Sequence, residues 1–168
     1  MAREIFDVVS EPRHETYRQL IRTAMQWCSQ FLFVDVPSPN FGENDSQFGS
    51  RAKALTADLL EHLIDVQRAK SWPGSTIGEK DGVDTYARLY RFRLDARSVE
   101  ILSRATDHLY AWRQPTLPGD LSLLRMDGEP WLVTMASDDD AYLRLTLEEA
   151  ERVLERVPGL VLRRHYRQ

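Results

Sequence analysis

Cysteine is nearly absent: Cys28 stands alone among 168 residues, so no internal disulfide can form, and no Cys/His spacing of a zinc site accompanies it. Lysine is scarce as well. Lys53, Lys70 and Lys80 leave nineteen of the 22 basic residues as arginine, the side chain suited to bidentate contacts. Long apolar runs are missing, none approaching the roughly 18–20 residues that span a bilayer. The opening MAREIFDVVSEPRHE is charged and lacks an apolar core of signal-peptide length, so a cytoplasmic chain with no membrane contact is expected. An excess of positive charge is also lacking. Twenty-two Lys and Arg face 26 Asp and Glu for a net charge of −4, which argues against a generic nucleic-acid coat.

Signature motifs are missing too. There is no Walker loop, G-x-G-x-x-G, H-E-x-x-H, G-x-S-x-G or kinase signature, so the sequence implies no cofactor and no metal and leans away from catalysis. No repeat or low-complexity tract interrupts the chain, and residues 1–168 read as one domain.

Patterned elements fill that domain. Tyr17, Leu20, Ile21, Ala24, Cys28 and Phe31 fall at helical spacing after Pro12, predicting a helix over 12–31 followed by a short strand, FLFVDV, to Val36. The Pro- and Gly-rich segment 37–50 is loop chemistry, and Ala52, Leu55, Leu59, His62, Leu63 and Val66 predict a second helix over 48–70. Residues 83–94 alternate as a strand, and Asp95 is placed to cap a helix over 96–112. Asp127-Gly128 between LSLLRM and PWLVTMA is a hairpin signal, because a tight turn needs positive φ at its centre. AYLRL then completes a meander over 121–145. Thr146 and Glu149 form a capping box for a helix to Val157, and LVLRR follows as a final strand. The expected fold class is therefore α+β, a mainly antiparallel sheet of about 4–6 strands packed with about four helices.

Three charged regions are candidate sites. Asp138, Asp139 and Asp140 form an acidic knob in the second meander turn, with Trp131 on the strand before it. They do not match the alternating oxygens of a calcium loop. Their mutual repulsion would be relieved by a basic partner. Arg88, Arg91, Arg93 and Arg97 alternate with Tyr86, Tyr90 and Phe92, and the tail Arg163-Arg164-His165-Tyr166-Arg167 is basic. That combination can grip phosphates and stack bases, although arginine stems covering a sheet explain it more simply. Asp35, Glu43, Asp45 and Arg51 surround the 37–50 loop and would be the site of a small enzyme. His14, His62, His108 and His165 are scattered along the chain, and Cys28 and His62 sit on inward stripes as structural residues.

Taken together, these features favour a non-catalytic protein that binds another protein, such as a toxin or effector, through a charged surface. A nucleic-acid or nucleotide-phosphate binder using Arg88–Arg97 and the tail is the alternative, and a small enzyme is the next. In outline, a small acidic chain of this kind resembles bacterial immunity proteins and other polypeptide inhibitors. The likeness is of class, rests on no matched motif and carries over no residues.

Overall fold

The computed structural model describes residues 2–37, 46–77 and 85–166. In chain order the elements are β1 (Glu4–Val8), α1 (Glu15–Thr23), β2 (Cys28–Asp35), α2 (Ser50–Asp58), β3 (Leu63–Ala69), β4 (Ser71–Trp72) and β5 (Ser75–Thr76). They continue with β6 (Ala87–Arg93), α3 (Ala96–Ala105), β7 (Gly119–Arg125), β8 (Pro130–Met135), β9 (Asp140–Leu145), α4 (Leu147–Arg156) and β10 (Leu162–Arg164). Eight strands form one sheet in the order β10-β1-β9-β8-β7-β2-β6-β3, and every neighbouring pair is antiparallel. The fold is α+β.

Side-chain alternation divides the sheet into two faces. Phe31 and Phe33 of β2, Phe92 of β6, Leu123 of β7 and Leu143 of β9 point to one face, where all four helices cover them in one continuous core. Across this layer α4 packs on α1, α1 on α3 and α3 on α2. Phe33 lies at its centre, 4.8 Å from Phe92 and 6.4 Å from Trp112 between ring centroids. The indole of Trp112 donates to the Tyr17 hydroxyl at 3.1 Å, which donates to the Leu102 carbonyl at 2.7 Å, so these buried polar atoms are satisfied.

Leu32, Val34, Ala87 and Leu124 point to the opposite face and form a smaller cluster under Trp72. The β4–β5 hairpin places that tryptophan. At its tip Gly74 has φ +83°, and a Cβ there would lie 2.8 Å from Val133 Cγ1 and 2.9 Å from Met135 Cγ. Glycine thus lets the hairpin lie flat against β8.

The meander, its Asp127-Gly128 turn (Gly128 φ +86°) and the Thr146 capping box lie where the sequence places them. Four expectations change. The helix expected over 96–112 ends at Ala105, and a separate 3-10 turn follows over Leu109–Ala111. The sheet is larger than 4–6 strands, because β1 and β3 join it. The first helix ends at Thr23, tightens into a 3-10 turn over Ala24–Gln26 and gives way to β2 at Cys28. Pairing with both β6 and β7 recruits residues whose spacing also suits a helix. The second helix ends at Asp58, and Leu63–Ala69 become β3 on the sheet edge beside β6. Among the described residues, no helix is long and apolar enough to cross a membrane.

Candidate functional site

The acidic knob is built from the turn joining β8 to β9. After Met135 the chain makes a 3-10 turn over Ala136–Asp138, and Asp139 follows in the left-handed region at φ 49°. Aspartate tolerates that conformation better than most residues. Two side chains hold the turn from below. Arg113 donates to the Ala136 carbonyl at 2.5 Å and stands 3.7 Å from the Asp139 carboxylate. Asp120, itself at φ 52°, accepts the Ala136 amide through Oδ1 at 3.1 Å and the Trp72 indole through Oδ2 at 3.0 Å. A single carboxylate therefore ties the knob to the hairpin on the outer face. Burial raises the Asp120 pKa against the pull of those two donors, and the charge of Asp138 raises it further.

A second segment enlarges the knob. Glu11 accepts the Tyr110 amide at 2.9 Å and pairs with Arg13 at 2.6 Å. The Tyr110 phenol is pushed up to about 12, first by burial and then by the charges of Asp140, Glu11 and Asp139. Glu11, Asp138, Asp139 and Asp140 thus share one corner with Arg13 and Arg113 as the nearby cations. All three aspartates are exposed, the Asp139 side chain to 75 %. Asp140 caps its neighbour, accepting the Ala141 amide at 2.9 Å.

The arginine strand does not form one surface. Arg88 lies in register with Asp35 and Arg68 on the face of Tyr90 and Phe92, whereas Arg91 and Arg93 lie on the other face. Arg91 donates to Asp65 at 2.5 Å, and Arg93 donates to the Glu61 carbonyl at 2.9 Å. Phe92 is fully buried, and Tyr86 is covered by Arg68 at 4.5 Å and Lys70 at 5.1 Å. In the tail, Arg163 and His165 lie 3.7 and 3.3 Å from Asp7, and Arg164 lies 2.5 Å from Glu4. Trp131 is buried, stacked on Trp27 at 5.8 Å, so its ring is out of reach of a partner.

The loop residues separate as well. Asp35 is buried, its Oδ1 accepting from Gln114 Nε2 at 3.0 Å and the Gln47 amide at 3.2 Å, while its Oδ2 has no hydrogen-bond partner among the described residues. Arg51 turns instead to the Ala105 carbonyl at the end of α3. Glu43 and Asp45 lie outside the described residues.

Both residues expected on inward stripes are buried. His62 is buried with Nε2 3.0 Å from Asp95 Oδ1, and Asp95 also accepts the first amides of α3 as its cap. Cys28 is buried on β2, and burial holds its thiol well above the ordinary range. Among the described residues, no three His, Cys, Asp or Glu groups come together as metal ligands. Compared with protein-family profiles, curated proteins and solved structures, the chain matches none.

Proposed function

We propose that this protein works by binding another protein through the acidic corner formed by Glu11 and Asp138–Asp140, without turning over a substrate. The supporting observation is the anchoring of that corner. Arg113 and Asp120 fix the backbone of the turn from below, so Asp139 and its neighbours are presented at set positions. Like charges held together at an exposed tip cost free energy in the isolated protein, and a basic partner surface removes that cost on docking. A toxin or effector with a basic contact face fits this chemistry, as does the inhibitor-like character expected from the sequence. The intramolecular partners of Arg91 and Arg93 weigh against the arginine strand as the contact surface.

The test starts from affinity purification with the native chain and with the Asp138→Asn, Asp139→Asn, Asp140→Asn triple variant as paired baits. A partner retained by the native bait and lost from the variant is then measured kinetically. Neutralising the corner should slow association by about tenfold and change dissociation less, because exposed charges mainly steer encounter. A partner held equally by both baits, or a purified protein that turns over a substrate and loses that activity on Asp35→Asn, would overturn the reading.

A further inference from the structure

We propose that a second site, the arginine-lined cleft between α1, α2 and α3, binds a small diphosphate-bearing anion. The cleft has a volume of about 620 Å³ and gathers Arg18 and Arg22 from α1, Arg51 from the first turn of α2, Arg104 from α3 and His108 from the loop beyond it. Four guanidinium groups in one concavity offer planar donor forks suited to phosphate oxygens. Among the described residues, no aromatic ring other than the His108 imidazole lines the cleft, so recognition rests on the phosphates and not on stacking of a base.

The carboxylates nearby do not neutralise this charge firmly. Glu100 is shared between Arg22 at 3.4 Å and Arg104 at 3.7 Å, and Glu15 between Arg18 at 3.7 Å and Arg22 at 3.6 Å. The side chains in these pairs are 36–83 % exposed, and exposed pairs of such length contribute little and exchange readily. Arg51 bonds a backbone carbonyl instead of a carboxylate. The third acid, Asp107, is already committed: His108 Nδ1 lies 2.8 Å from one oxygen and His14 Nδ1 3.0 Å from the other. His14 reaches it from a backbone with positive φ, 54°, with its amide donating to the Asp107 carbonyl at 2.5 Å. Two histidines far apart in sequence thus hold one carboxylate at the cleft wall, leaving the guanidinium groups to an incoming anion.

Calorimetric titration of the full chain with inorganic pyrophosphate tests the proposal. One saturable site is expected. Arg18→Gln and Arg104→Gln should each weaken binding at least tenfold, and Glu100→Gln should tighten it severalfold by removing a negative charge from the cleft. Arg144→Gln, which makes the same charge change on the opposite sheet face, should leave binding unchanged. Titrations with ADP and AMP distinguish the sources: equal affinity for ADP and pyrophosphate, with AMP weaker, supports recognition through the diphosphate alone, and ADP binding much tighter than pyrophosphate would overturn it. Absence of saturable pyrophosphate binding at millimolar concentration, or equal weakening by Arg144→Gln, would overturn it. So would a Glu100→Gln variant that loses binding while circular dichroism shows it folded.

Discussion

Asp120 carries more structural duty than its exposed neighbours in the acidic turn. Its two oxygens satisfy the Trp72 indole and the Ala136 amide, and its backbone occupies the left-handed region. Asp120→Ala should cost on the order of 3 kcal/mol, since two donors lose their acceptor and alanine is strained at that φ. Asp120→Asn, which keeps one acceptor and tolerates the backbone, should cost less. Urea unfolding midpoints separate the two, and equal losses would show that the side chain bridges nothing. Glu149 presents the opposite electrostatics. Burial alone would raise its pKa, but the hydrogen bond from Arg125, the Thr146 amide and the Arg125 charge outweigh burial, so the pKa is lowered. A carboxylate depressed in the fold stabilises it above the unfolded pKa of about 4.3, and that contribution is lost as pH falls through the lower folded value. Because Arg125 is buried, Glu149→Gln should cost about 3 kcal/mol near neutrality. The variant should also lose less further stability than the native chain between pH 5 and pH 3, which acid unfolding curves would check.

At the scale of the element, α4 begins with a reciprocal cap: the Thr146 hydroxyl accepts the Glu149 amide at 3.1 Å, and Glu149 accepts the Thr146 amide at 3.0 Å. Thr146→Ala should therefore lower stability by about 1 kcal/mol, a smaller loss than Glu149→Gln because the Arg125 pair survives. An unchanged thermal midpoint would mean the cap contributes nothing. This helix start was readable because its signal lies within four consecutive residues, as was the Asp127-Gly128 turn. The edge strand β3 was not readable. Leu59, His62, Leu63 and Val66 satisfy a helical period, and only pairing with β6, more than twenty residues away, selects the extended form. Val66, expected to face inward, is 45 % exposed as a result. The candidate sites divide the same way. Asp138–Asp140 are legible as a projecting turn from local chemistry alone. Glu11, Tyr110, Arg113 and Asp120 reach that turn from separate segments, and His14 meets His108 across Asp107 with no local pattern to announce it.

For the whole molecule, the net charge of −4 matters less than its placement. Glu11 belongs to the acidic corner, and His14, three residues on, braces the wall of the arginine cleft, so regions of opposite sign adjoin along one segment. A basic protein approaching the corner is attracted at long range while the neighbouring cleft repels it, which restricts productive orientations. Raising salt from about 50 to 500 mM shortens the Debye length to a few ångströms and should slow association of the native chain toward the rate of the Asp138–Asp140 triple variant. Stopped-flow measurements at several salt concentrations would check this, and parallel salt curves for the two proteins would assign steering to other charges.

The position of β1 has a consequence in time. Phe6 pairs with Leu143 of β9 on one side and with Arg164 of β10 on the other, so neither neighbour exists when β1 leaves the ribosome. At about 5–20 residues per second, synthesis of the chain between Phe6 and Leu143 takes on the order of ten seconds. Throughout that interval both edges of β1 are bare. Made before either of its neighbours, β1 is therefore among the last strands to be enclosed.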